Sequence, residues 1–280
     1  MNRFTQKAKT ELQAIYPQHE ASAIIRQLLQ SVCQMSNAQI LMHKNTELSP
    51  EIRTRLEEKL TELISGKPLQ YVLGTSEFYG LDFCVDSSVL IPRPETEELV
   101  DLILTENSEE NLSVLDIGTG SGCIAISLSK MMHKPIVHAC DVSEDALTTA
   151  KRNAINNNAD VHFFRKNILD NSSDSDISNL DIIVSNPPYI CESEAREMHQ
   201  NVLQFEPHLA LFVPDNDPLL FYRVIAHRGQ QWLRVGGRIY FEINSAFGQE
   251  TALLLEKLGY KKVTIVTDIN GKQRIVKAVL

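Results

Sequence analysis

The sequence predicts an α/β fold: a mostly parallel seven-stranded sheet with helices on both faces, preceded by a small all-α module. Three observations carry this expectation. From Ser113 onward, short apolar runs alternate with helix-length segments, the pattern of βαβ units. Those runs are apolar at most positions rather than every second one, as strands covered on both faces require. Before Gly66, in contrast, apolar residues recur at helical spacing.

In chain order, Ile24, Ile25, Leu28, Leu29 and Val32 make one helical stripe. Ser49 and Pro50 open the next helix as N-cap and first helical residue, with Ile52, Leu56, Leu60 and Leu63 on one face. Gly66 stops it and Pro68 follows. Phe78, Tyr79, Leu81, Phe83 and Val85 surround Gly80, which predicts a short hairpin. Pro92 and Pro94 punctuate, and a helix is expected from Glu95 with Leu99, Leu102 and Ile103 facing inward.

Strands are then expected at 113–117, 135–140, 161–164, 180–185, 237–243, 261–266 and 274–280. Helices are expected at 121–131, 143–157, 217–234 and 246–258, and a polar loop at 171–179. Asn270-Gly271 is a hairpin signal, so the last strand should run antiparallel to its neighbour. The expected division is a helical module at 1–75, a hairpin linker at 76–93 and an α/β domain at 94–280.

Composition narrows the class of function. With 43% hydrophobic and 22% charged residues, the 280-residue chain reads as globular, and no apolar stretch reaches membrane-spanning length. The N-terminus lacks the apolar core of a signal peptide, so the cytoplasm is expected. Cys33, Cys84, Cys123, Cys140 and Cys191 lie far apart with no CxxC pair, which suits reduced thiols. No HxxxH or HExxH spacing occurs, so no metal is expected. Residues 1–75 hold 9 basic and 7 acidic side chains, but residues 76–256 hold 12 and 28. Such an acidic region is a poor surface for tracking phosphates. It also fits a solvated face tuned for solubility.

Two loops at strand ends carry the chemistry. LDIGTGSG (115–122) follows the first sheet strand, and Gly118, Thr119, Gly120, Ser121 and Gly122 allow a tight turn with close backbone approach to a ligand. A dinucleotide fingerprint would need glycine where Cys123 stands, and no P-loop lysine is present. Asp116 sits at the tip of that strand. Asp141 ends the second, 25 residues later, where an acid can accept from ribose hydroxyls. A plain strand–helix turn, and a capping role for Asp141 beside Ser143, stay open as structural readings. Asn167 is placed to meet an adenine edge, with Ile168 as an apolar neighbour. Without a phosphate grip, the ligand this suggests is a nucleoside bearing an amino acid, S-adenosylmethionine.

The second loop is SNPPYI (185–190), after the apolar run LDIIV. Pro187 and Pro188 remove backbone donors and stiffen the chain. Asn186 Oδ1 and the Pro187 carbonyl can each accept one N–H of a planar NH2 group, while the Tyr189 ring would lie near its face. Asn186 also borders the expected cofactor position.

Together these residues resemble the class I methyltransferases acting on planar nitrogens, and more narrowly the release factor glutamine N5-methyltransferases. The resemblance runs the length of the chain, through GKPLQYVLG (66–74), EFYGLDF (77–83), LIPRPETE (90–97), DIGTGSG (116–122), SNPPYI (185–190) and FEP (205–207). It implies methylation, from S-adenosylmethionine, of the glutamine in the Gly-Gly-Gln loop of peptide-chain release factors 1 and 2. The implied cofactor residues are Gly118 to Gly122, Asp141 and the pair 167–168; the implied substrate residues are Asn186 to Tyr189. Ile168 stands where the family often has an aromatic. A ribosomal-protein glutamine, or an adenine or guanine amino group of a nucleic acid, are the competing substrates. A monomer is expected, with no membrane contact and no direct nucleic-acid partner.

Other groups keep two readings. Arg93, Glu95, Glu97 and Glu98 would border the active-site mouth, or serve the helix macrodipole. Phe205-Glu206-Pro207 would shape the substrate cleft, or form an ordinary turn. The helical module would grip the protein substrate, or act as a stabilising cap. Trp232 and Tyr222 read as packing residues.

Overall fold

The computed structural model describes residues 1–170 and 177–280, so most of the predicted polar loop, 171–176, lies outside the described residues. The chain forms two compact units, Met1–Thr75 with His199–Phe205, and Ser76–Met198 with Glu206–Leu280. The hairpin therefore belongs with the α/β unit, and a short later segment belongs with the helical one.

The first unit holds α1 (Asn2–Leu12), α2 (Gln18–Cys33), α3 (Asn37–Met42), α4 (Pro50–Ile64) and α5 (Leu69–Leu73). The stripe on α2 is buried from Ala21 to Val32 and ends where Gln34 turns left-handed at φ 52°. Ser49 caps α4 by accepting from the Ile52 N–H at 3.3 Å. Leu56, Leu60 and Leu63 then pack on Leu12, Ile25 and Leu28. Ile52 is only half-buried, because it lies at the first turn where the helix is still exposed.

The second unit opens with β1 (Thr75–Phe78) and β2 (Leu81–Cys84). Next come α6 (Pro94–Glu106), β3 (Ser113–Ile117), α7 (Cys123–Met131), β4 (Ile136–Asp141), α8 (Glu144–Asn156), β5 (His162–Arg165) and β6 (Leu180–Ser185). After β7 (Ile190–Cys191) the chain runs through α9 (Gln200–Phe205) and returns at Glu206 to β8 (Phe212–Val213). Then follow α10 (Leu220–Trp232), β9 (Leu233–Glu242), α11 (Gly248–Lys257), β10 (Lys261–Thr267) and β11 (Gln273–Val279). Helix α6 begins one residue before the expected Glu95, because Pro94 suits the first helical position, where no N–H is needed.

Seven strands form one sheet in the order β10-β11-β9-β6-β3-β4-β5. β11 runs antiparallel to both β9 and β10, as the Asn270-Gly271 turn predicts. The pairs β3–β4, β3–β6, β4–β5 and β6–β9 are parallel. Successive side chains face opposite layers: Ile182 and Val184 pack with α6 and α7, whereas Ile183 packs with α10 and α11. Burial on both faces is why these strands read as unbroken apolar runs. Tyr222 and Trp232 are core residues of α10. The order in which successive strands are added reverses at β3, whose neighbours are β4 on one side and β6 on the other. Open α/β sheets bind ligands outside the carboxyl ends of strands at such a switch point.

Candidate active site

Both predicted loops leave strands at this switch point, the glycine turn from β3 and the SNPPYI loop from β6. A cavity of about 310 Å³ lies between them, within the second unit. Gly118, Thr119, Gly120, Ser121, Asp141, Asn167, Ile168, Asn186, Pro187 and Pro188 all line it.

The turn leaves open space over its backbone. Gly118 and Gly120 have φ of +73° and +54°, and nothing lies within 4 Å of where a Cβ would project. Asp141 stabilises this shape: its Oδ2 accepts from the Gly120 N–H and its Oδ1 from the Ser143 N–H, both at 2.9 Å. Ser143 itself caps α8. Each Asp141 oxygen keeps lone-pair capacity for a further donor, so both hydroxyls of a ribose diol can donate to it. Asn153 ties the turn to the hairpin, donating to the carbonyls of Ser121 and Cys84 and accepting from the Cys84 N–H.

Two predicted residues have structural partners of their own. Gly122 is not in the lining; a Cβ there would meet Ile126 Cδ1 at 2.9 Å and Ala150 Cβ at 3.2 Å, so its lack of a side chain lets α7 approach α8. The Asn167 side chain organises its own turn, donating to Asp170 and accepting from the Leu169 N–H. Buried Ile168 supplies apolar cavity wall.

Asp116 is fully buried beneath the turn, and its Oδ2 accepts from the Thr119 hydroxyl at 2.6 Å. Burial pushes its carboxyl up to about 7, against the hydrogen bond from Thr119. Cys123 also lines the cavity, and burial pushes its thiol up to about 12.

Beside the SNPPYI loop lies a polar cluster that sequence reasoning missed, and its Thr96 also lines the cavity. Asn186 Nδ2 donates to Thr96 Oγ1 at 3.2 Å, and the Thr96 hydroxyl donates to Glu242 Oε2 at 2.7 Å. The Tyr189 hydroxyl donates to Glu242 Oε1 at 3.2 Å. Tyr189 is therefore turned beneath the loop and is not in the cavity lining. Burial raises the Glu242 carboxyl, while Thr96, Arg274 and Tyr189 pull it back down. The one signal for this cluster was an acid inside the apolar run GRIYFEI. A buried acid needs partners, but the run does not say which.

Comparison with known proteins adds ancestry to this geometry. Residues 96–206 match the methyltransferase small domain family, and residues 4–74 match the PrmC N-terminal domain family. A release factor glutamine methyltransferase of Bacteroides thetaiotaomicron is 47% identical over 279 residues, covering 99% of each chain. One from Flavobacterium psychrophilum is 46% identical over 270 residues, covering 95% of this chain and 94% of its own. Among solved structures, a methyltransferase from Pyrococcus furiosus superposes with a TM-score of 0.54 at 18% identity, over 81% of this chain and 96% of that one. That likeness supports the class I methyltransferase fold alone.

Proposed function

The chain belongs to the release factor glutamine methyltransferase family, and we propose that it methylates the Gly-Gly-Gln glutamine of peptide-chain release factors 1 and 2, modulating translation termination. It is a protein-glutamine N5 methyltransferase that uses S-adenosylmethionine. The meeting, in one cavity, of the Gly118–Ser121 turn with Asp141 and the Asn186–Pro188 acceptors supports methyl transfer to a planar NH2 group, and the likeness to release factor glutamine methyltransferases at 46–47% identity supports the choice of substrate. The enzyme would work in the cytoplasm as a monomer, with the helical unit gripping the protein substrate. No helix among the described residues is long and apolar enough to cross a membrane.

Gly118, Gly120 and Asp141 would hold the cofactor's nucleoside, and Ile168 would cover the base. When bound, S-adenosylmethionine supplies an electrophilic sulfonium methyl group. A carboxamide nitrogen is a weak nucleophile because its lone pair is delocalised into the carbonyl. Asn186 Oδ1 and the Pro187 carbonyl would each accept one of its N–H groups and so aim that lone pair across the cavity. Neither Pro187 nor Pro188 has an N–H to compete for these acceptors. Orientation of this kind can supply on the order of 7–11 kcal/mol in favourable cases. Acceptors that bind harder as the nitrogen turns positive add stabilisation specific to the transition state. The proton can leave to water afterwards.

The test is transfer of labelled methyl from S-adenosylmethionine to release factor, ribosomal protein, DNA and RNA in parallel. Label is expected on the release-factor glutamine. Label on nucleic acid alone, or on a ribosomal-protein glutamine alone, would overturn the substrate assignment.

A further inference from the structure

Asn186 can serve an NH2 group only if its amide is the right way round. The oxygen must face the cavity and the nitrogen must face the protein. The side chain itself has no such preference, since Oδ1 and Nδ2 are nearly isosteric. Something must break the tie.

The three-member chain beside the loop supplies that bias. Glu242 is 1% exposed and stands at the end of β9; Thr96 is 2% exposed and stands in the first turn of α6. Both oxygens of Glu242 accept, one from the Thr96 hydroxyl and the other from the Tyr189 hydroxyl. The single hydroxyl proton of Thr96 is therefore drawn to Glu242 Oε2 at 2.7 Å. Having given that proton away, Thr96 Oγ1 offers only lone pairs. Asn186 must then present Nδ2, which it does at 3.2 Å, leaving Oδ1 on the other branch of the amide. Tyr189 donates into the second oxygen of Glu242. Arg274, held by Asp268 at 3.2 Å, offsets part of the burial that raises the Glu242 carboxyl.

We infer that Thr96 and Glu242 are positioning residues that fix the polarity of Asn186, and that this one-way hydrogen-bond chain makes the substrate slot select an amide NH2 over a carboxylate. The inference rests on the proposed glutamine substrate and deepens it. With Asn186 reversed, the slot would present an NH2 of its own and would suit a glutamate side chain. Thr96 thereby explains one letter of the PETE segment: no other position in the first turn of α6 donates to Glu242 and accepts from Asn186 among the described residues.

Full-length Thr96→Val, Thr96→Ser and Glu242→Gln proteins separate the possibilities. The readouts are kcat on release factor, S-adenosylmethionine affinity by calorimetry, and inhibition by peptides carrying Gln or Glu at the target position. A fourth is the side-chain NH2 signal of Asn186 by NMR, assigned from its loss in Asn186→Asp. Thr96→Val and Glu242→Gln should lower kcat and narrow the Gln-over-Glu preference by roughly tenfold each, the worth of one good hydrogen bond. Cofactor affinity should stay within a few-fold, which also shows the variants are folded. Thr96→Ser keeps the hydroxyl and should restore both quantities and the wild-type NH2 signal. If Thr96→Val keeps the wild-type preference and NH2 signal, or Thr96→Ser behaves like Thr96→Val, the inference is overturned. If Glu242→Gln does not fold, the Thr96 pair decides alone. Wild-type protein that leaves release factor unlabelled refutes the substrate reading instead, and the NMR signal still reports the orientation without any substrate.

Discussion

Arg93 and Glu206, 113 residues apart, form a 2.7 Å ion pair, joining the PRPETE segment to the FEP turn beside the cavity. Glu206 is 4% exposed and also accepts from the Ile91 N–H at 3.3 Å. Arg93 and Pro207 both line the cavity, so the pair fixes two parts of its wall. Both segments had two readings in the sequence, and this contact accounts for both as one structural joint at the mouth.

Arg93→Ala should therefore destabilise the protein more than a typical surface change. It strips the charge partner from a buried carboxylate. Breaking a fully buried pair costs about 3–5 kcal/mol, and the one-third exposure of Arg93 reduces this to about 1–3 kcal/mol. Glu206→Gln, which removes the charge but keeps the Ile91 acceptor, should cost less. Thermal unfolding of the two variants gives the order, and a smaller loss for Arg93→Ala would refute the joint.

Asn186→Ala should cut turnover on the order of 10²–10³-fold, the usual cost of removing a transition-state hydrogen-bond partner. Cofactor affinity should stay within a few-fold, because Asp141 and the glycine turn are untouched. Single-turnover kinetics with calorimetry on the same sample checks this, and near-normal turnover would remove Asn186 from the chemistry.

Asp141→Ala should do the opposite. It deletes the acceptor for the Gly120 N–H as well as the proposed acceptor for a ribose, so the turn should loosen and the ligand lose a partner together. S-adenosylmethionine affinity should fall at least tenfold, the worth of about one charge-assisted hydrogen bond. Unchanged affinity by calorimetry would leave Asp141 as a capping residue for the Ser143 end of α8.

What the sequence made legible follows from local physics. Strands buried on both faces announce themselves as apolar runs, and the glycine turn and NPPY loop are contiguous, so both were found with their strands. Thr96, Asn186 and Glu242 lie 90 and 146 residues from their partners. Only the sheet order brings β9 and α6 beside the β6 loop, so no window of sequence holds that chain. Gly122 was read with its neighbours as ligand-contacting because spacing cannot distinguish a glycine needed by a ligand from one needed by a helix contact.

Asp116 predicts a pH dependence of stability. Its carboxyl is raised from 3.8 to about 7 by burial, beside Thr119, Asp141, Cys140 and Cys123. A raised acid favours the folded state below its unfolded pKa, where it is protonated in both states. That contribution is lost progressively as pH rises from about 4 to about 7, at up to about 1.4 kcal/mol per pH unit. Asp116→Asn has no such charge to bury. Its Tm relative to wild type should rise between pH 5 and pH 8, and a constant difference would show that Asp116 does not titrate in this window.

Two glycines of the same turn should separate stability from binding. Gly122→Ala places a methyl 2.9 Å from Ile126 Cδ1 and 3.2 Å from Ala150 at a φ of +83°, so backbone strain and overpacking add. A loss of about 2–4 kcal/mol is expected from the two effects. Gly120→Ala carries the backbone term alone, since nothing lies within 4 Å of its new methyl, which would instead enter the ligand's space. Its unfolding midpoint should fall less than that of Gly122→Ala, while its S-adenosylmethionine affinity falls more. Both quantities can be read from thermal shift with and without cofactor. A ligand-induced shift retained by Gly120→Ala and lost by Gly122→Ala would reverse the two roles.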